Sequence, residues 1–183
     1  DGTETLVVST DVRDEDDVAD LVDATAAQFG GIDIVVLNAG VARGSEIETM
    51  STDAFQAMQE TNTDGVFYLT RAALPYIRES EGHLLYVGSY AGEYPRPYNP
   101  VYAATKWWVR GFAKSVSAQV GEENVGVTVV NPAAVRTGFE IDGTSIAERY
   151  DPGEVVEPEE VANAIGFAAT QSPSMVHEIS LYE

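Results

Sequence analysis

The chain has 183 residues, of which 44% are hydrophobic, enough for one sizeable core and too few for two comfortable domains. With no cysteine and only two separated histidines, His83 and His177, it offers neither a disulfide nor a zinc centre, so any catalysis must come from oxygen and nitrogen groups. A formal net charge of −20, from 30 acidic and 10 basic residues, excludes nucleic-acid backbone as a partner.

The carboxylates are dispersed along the chain, with only short clusters at residues 14–17 and 157–160. That pattern reads as a solvated acidic surface suited to a high-salt, halophilic cytoplasm, where screening weakens self-repulsion. No apolar run approaches the roughly 18 residues of a membrane span and no secretion signal opens the sequence, so a cytoplasmic protein without a membrane partner is expected.

In chain order, residues 5–10 are β-branched and apolar and predict a strand. Asp14 then caps a helix on which Val18, Leu21, Val22, Ala26 and Phe29 share one face, ending at Gly30. A continuous apolar stretch at 32–37 predicts a buried parallel strand that ends at Asn38-Ala39-Gly40. Ser51 caps a short helix through Met58, and a longer helix is expected from about residue 63 to 77. Residues 84–87 form the next strand, closed by Gly88 and Ser89.

A proline-bearing loop leads into a helix from about residue 101 to 120, followed by a strand at 125–130. A Gly- and charge-rich loop with a short helix near 145–150 comes next. Pro158 opens a helix to about residue 170 at its favoured first position, and residues 176–182 form the last strand. Strands alternating with helices in this way predict βαβ units, hence an α/β fold with a doubly wound parallel sheet in one domain spanning 1–183.

Tyr102 and Lys106 stand four residues apart on one face of the predicted helix. An ammonium within about 4 Å of a phenol contributes on the order of 4 kcal/mol at an effective dielectric of 20. That is enough to pull the phenol toward neutral pKa and make it a general acid/base. Ser89 lies just past a strand, at the carboxyl end where ligands bind open α/β sheets, and its hydroxyl would hold a substrate oxygen. With nine Tyr in the chain, chance supplies only roughly 0.1 Tyr–Lys pairs at this separation, and far fewer with a serine at the same offset.

Nearly the whole chain resembles the short-chain dehydrogenase/reductase family. Asn38-Ala39-Gly40 matches the family's strand-end motif, Ser89, Tyr102 and Lys106 its active-site residues, and Asn62 the asparagine that completes a catalytic tetrad. Asp11-Val12 matches the pair after its third strand, and residues 132–137 match its Pro-Gly-x-Val-x-Thr run, with Ala133 in place of the glycine. An alanine there would be strained if the backbone needed positive φ.

The resemblance implies a Rossmann-like fold and NAD or NADP as cofactor. It implies that Asp11 and Val12 meet the adenine, that Asn38, Ala39 and Gly40 shape the cofactor floor, and that Tyr102 and Lys106 meet the ribose. Pro132, Val135 and Thr137 would contact the nicotinamide end, and Asn62 would hold a proton-relay water. Each has a plainer competitor: a helix-capping turn for Asp11, turn chemistry for residues 38–40, a helix cap for Asn62, ordinary loop roles for Val135 and Thr137. Tyr90 and Tyr94 would either line the substrate pocket or be partly buried loop aromatics. Trp107 and Trp108 follow Lys106 on a helix that is an oligomer contact in the family, which implies a homodimer or homotetramer, with a small-molecule carbonyl or alcohol as substrate.

The sequence enters at what matches the family's third strand, so the resemblance implies a preceding βαβ unit with a Gly-rich turn that is not in this sequence, as in a piece of a longer chain. The choice between NAD and NADP belongs to that unit. The run from Ser172 to Tyr182 and the segment Val135-Arg-Thr-Gly-Phe139 are similar to the branch holding serine and 3-hydroxy acid dehydrogenases, which implies small hydroxy acids or alcohols. Two other functions compete: a truncated, non-catalytic subunit that pairs with an intact homologue, and a nicotinamide-using epimerase or dehydratase, whose C-terminal substrate region is usually larger.

Overall fold

A computed structural model describes residues 3–44, 46–141, 143–172 and 174–182. Four parallel strands form its main sheet in the order β1 (Ile34–Leu37), β2 (His83–Val87), β3 (Gly126–Pro132), β6 (Glu178–Leu181). The register runs from Ile34 opposite His83, through His83 opposite Gly126, to Val129 opposite Glu178. A small antiparallel hairpin, β4 (Glu140–Ile141) with β5 (Thr144–Ser145), stands apart from it.

Helices cover both faces, as the doubly wound reading expects. α1 (Glu15–Phe29), α3 (Gly65–Ser80) and α4 (Pro100–Val120) pack on one side, and α6 (Pro158–Ala169) lies on the other. Strands β2 and β3 are buried on both faces, and Leu84, Tyr86, Val127 and Val129 meet Ala73 and Ile77 of α3 and Val109 and Val116 of α4. Each such aliphatic side chain contributes about 1.5–3 kcal/mol by leaving water. Inside that layer the Tyr86 hydroxyl meets Thr70 Oγ1 at 3.0 Å, and burial drives its pKa up to about 12.

The helix ends follow their sequence signals. Asp14 accepts the backbone N–H groups of Asp16 and Asp17, and Gly30 closes α1 with φ +82°. Ser51 caps α2 (Thr52–Gln59), and Pro158 opens α6 behind a capping box made by Glu157 and Glu160.

Two expectations are corrected. Residues 5–10 run without a ladder partner among the described residues, and Val7 is 93% exposed. β-Branched composition favours a pleated surface, but a strand exists only where a neighbour accepts its hydrogen bonds. The break expected between Met58 and residue 63 is also absent. α2 runs straight into α3 through a π-helical turn, Glu60–Asp64, which carries Asn62 and Thr63 into the interior. Such a single wide turn re-aims side chains without ending a helix.

Candidate active site

The carboxyl ends of β1, β2 and β3 open onto a cavity of about 870 Å³. Of the residues singled out from the sequence, Asn38, Ala39 and Gly40 form one part of its wall. Ser89, Tyr102 and Lys106 form a second, and Pro132, Val135 and Thr137 a third. Segments up to about a hundred positions apart therefore converge where a parallel sheet ends.

Tyr102 is placed by the start of α4. Asn99 caps that helix by accepting the Tyr102 backbone N–H at 3.0 Å, and Pro100 occupies the first turn. The Asn99 amide also donates to the carbonyls of Arg43 and Gly44 at 3.1 and 3.3 Å, which ties the helix start to the loop after β1. Asn99 was not singled out in the sequence, although Asn-Pro ahead of a helical run is a capping signature.

Ser89 is extended, with φ −174°, and its Oγ accepts the Ala91 N–H at 3.1 Å to start the 3-10 turn Tyr90–Gly92. Its own N–H donates to Asn131 Oδ1 at 3.3 Å. Gly88 leaves the room for this, because a Cβ there would stand 2.1 Å from the same oxygen.

Lys106 is buried, and its Nζ donates to the Val87 carbonyl at 2.9 Å while standing 5.9 Å from the centre of the Tyr102 ring. Burial pushes its ammonium down to about 8. The expected lowering of the Tyr102 phenol is corrected here: burial raises its pKa, and the neighbouring Ser89 hydroxyl and the Arg96 charge oppose that rise. At this distance and with its proton directed at Val87, Lys106 does not offset the loss of water around the phenol.

Asn62 uses its amide as a clamp. Its Oδ1 accepts the Val41 N–H at 2.8 Å, and its Nδ2 donates to the Val41 carbonyl at 2.9 Å and to Thr105 Oγ1 at 3.0 Å. A Cβ on Gly40 would lie 3.5 Å from both Asn62 Oδ1 and Lys106 Nζ, so both side chains border that glycine.

Other residues fall elsewhere. The Asp11 carboxylate is engaged by Arg13, through the backbone N–H at 3.0 Å and the guanidinium, which holds its pKa down to about 2. Val12 packs on α3, where a Cβ at Gly65 would stand 2.8 Å from its carbonyl. Neither lines the cavity.

Tyr90 and Tyr94 are also corrected: the 3-10 turn directs them away from the cavity, where they stack at 4.5 Å and Tyr90 meets Tyr182 edge-on at 5.5 Å. Tyr98 and Tyr150 line the cavity instead, and Phe139 tilts against Tyr102 at 6.2 Å. Ala133 carries no strain, since the only non-glycine residues with positive φ among those described are Glu81 and Asn124. Trp107 and Trp108 are 48% and 38% exposed, with Trp108 stacked on Phe112.

A family model described as short chain dehydrogenase matches residues 1–145. An uncharacterized oxidoreductase of Staphylococcus epidermidis is 33% identical over 176 residues, covering 96% of this chain and 74% of that protein. The NADP-dependent 3-hydroxy acid dehydrogenase YdfG of Salmonella typhi is 31% identical over 177 residues, covering 92% and 71%. Among solved structures, the 3-ketoacyl-(acyl-carrier-protein) reductase from Brucella melitensis complexed with NADH superposes with a TM-score of 0.86 at 27% identity, covering 96% of this chain and 76% of that one. With the model matching most of its length, the chain belongs to the short chain dehydrogenase family.

Proposed function

We propose that the chain is an NAD(P)-dependent oxidoreductase that interconverts a carbonyl and a secondary alcohol, with Tyr102 as the general acid/base. The observation that carries this is the convergence of Ser89, Tyr102 and Lys106 on one cavity whose floor is Gly40. The donor set suits a nicotinamide dinucleotide. No Asp or Glu is among the described residues lining the cavity, and Gly40 leaves open space beside Lys106 and Asn62. The named relatives use NADP in one case and hold NADH in another, so either form remains within the proposal. The bound cofactor supplies or takes the hydride.

The protein's own part is to hold the substrate oxygen and move its proton. The Ser89 hydroxyl orients that oxygen, and the Tyr102 hydroxyl exchanges the proton with it. Lys106 and Tyr102 would also hold the ribose. Asn62 fixes Val41, and a relay water would sit on its Gly40 side. Pro132, Val135 and Thr137 would meet the nicotinamide end. Asp11 would reach the adenine only by leaving Arg13, with Val12 supplying backbone. The half-exposed Trp107 and Trp108 are the surface on which a homodimer or homotetramer would form. Against the alternative of a non-catalytic pairing subunit stands the retention of all four tetrad residues around this cavity.

Tyr102→Phe tests the reading. It removes the exchangeable proton and little volume, so kcat/KM for NAD(P)-linked oxidation should fall roughly 10²- to 10⁴-fold with the melting midpoint held. Retention of most of the rate would overturn the mechanism.

A further inference from the structure

The basic residues of this chain separate by what they face. Arg13, Arg71, Arg78, Arg110, Lys114 and Arg136 each meet a protein carboxylate at ion-pair distance. Arg43, on the loop after β1, and Arg96 meet none among the described residues, but Arg96 lies on the cavity wall beside Tyr102, and Arg149 of the short helix Ile146–Arg149 lines the same cavity. In a chain with 30 acidic residues among 183, a wall of this extent would carry several carboxylates by chance, yet none of the described residues lining it is Asp or Glu.

The backbone that carries Arg96 is fixed in advance. Pro95 and Pro97 flank it, which restricts both its neighbours and its own φ and ψ, and its carbonyl accepts the Asn99 N–H at 3.2 Å. Asn99 is in turn tied to the helix that presents Tyr102. The charge of Arg96 is felt at the Tyr102 phenol, opposing the rise that burial imposes. A guanidinium in this position can hold a carboxylate through paired N–H donors while another part of the same molecule reaches the phenol.

We propose that Arg96 is a specificity residue that reads a carboxylate on the substrate, making the preferred substrate a small hydroxy acid or its keto acid rather than an uncharged alcohol. This rests on the oxidoreductase reading above.

The test uses the full chain and two unreactive probes of equal size, butyrate and butyramide, with affinities measured by NMR titration for the unaltered protein, Arg96→Lys and Arg96→Met. Butyrate should bind more tightly than butyramide, weaken roughly 10- to 100-fold in Arg96→Met and by less in Arg96→Lys, while butyramide binds all three alike. Equal butyrate affinity in the unaltered protein and Arg96→Met, with both folded by their melting curves, would overturn the inference. So would a loss of NADP or NAD affinity in place of butyrate affinity, which would make Arg96 a reader of cofactor phosphate. Oxidation of 3-hydroxybutyrate and its methyl ester separates the two proposals. If the butyrate discrimination holds and neither compound is oxidised with NAD or NADP, the oxidoreductase reading fails and the role of Arg96 stands. If the ester is oxidised at least as well as the acid and Arg96→Met changes neither, the reverse is true.

Discussion

The Asn131 side chain accepts the backbone N–H of Ser89 at 3.3 Å. Its amide faces the other way and donates to Glu93 Oε1 at 3.1 Å and Glu178 Oε1 at 2.7 Å. Burial alone would push the Glu178 carboxyl up, but Arg110, Lys114 and Asn131 together hold it below its ordinary value. Arg110 Nη2 reaches Glu178 Oε2 at 3.0 Å, and Ser180 Oγ donates to Glu93 Oε1 at 2.8 Å. One fully buried asparagine thus ties the serine of the candidate tetrad to a charged network between α4 and β6.

Replacing Asn131 by Leu keeps most of the volume and strands the Ser89 N–H and two acceptor sites. The expected cost is about 2–3 kcal/mol in urea unfolding, with a fall in kcat because Ser89 loses its anchor. Asn131→Asp keeps the acceptor but sets a third carboxylate beside Glu93 and Glu178. Its folded pKa is therefore raised, so its stability relative to the unaltered protein should recover as pH falls through the carboxylate range. An Asp variant whose deficit is flat with pH would contradict the network.

Lys106 gives a pH signature on the basic side. Its folded pKa of about 8 lies below the ordinary 10.5, so between those values the unfolded chain binds more protons. Its contribution to stability therefore rises with pH across that window, by roughly 2 kcal/mol between pH 7 and 10. Lys106→Met has no such term. The difference in unfolding free energy between the two proteins, measured by urea titration at pH 7, 8.5 and 10, should shift toward the unaltered protein as pH rises.

Asn62→Ala should release Val41. Three hydrogen bonds end on that one amide, and its loss leaves the part-buried N–H and carbonyl of Val41 without this partner, at about 2–4 kcal/mol. Hydrogen exchange gives the local readout: the Val41 amide should lose protection well before those of β2 or β3.

Much of this was legible in the sequence where one local signal decides. Asp14, Ser51, Gly30 and Pro158 mark helix ends, and the apolar runs of β2 and β3 mark buried strands, whereas β1, read from its apolar run as buried, ends the described sheet with Ile34 and Val36 exposed. Tyr102 and Lys106 share a face because helical spacing dictates it. What could not be read depends on partners distant in the chain. Residues 5–10 have strand composition but no ladder, and the π turn at Asn62 looks like a fresh helix start because its register is set by packing against Val41 and Thr105. Tyr90 and Tyr94 turn away through a 3-10 turn fixed by Ser89 Oγ. Tyr98, Phe139 and Arg96 join the cavity only through folding, and no periodicity announces them.

The absence of Asp and Glu from the described cavity lining has a kinetic side. An anion approaching this protein meets a repelling exterior first and an attracting interior only at contact. Dissolved salt shortens the reach of the repulsion, about 10 Å at 0.1 M, so entry quickens with ionic strength. The same salt weakens the grip at the open mouth. Stopped-flow binding of an anionic ligand should then show association and dissociation rates that both climb with salt, and an affinity that peaks at intermediate ionic strength.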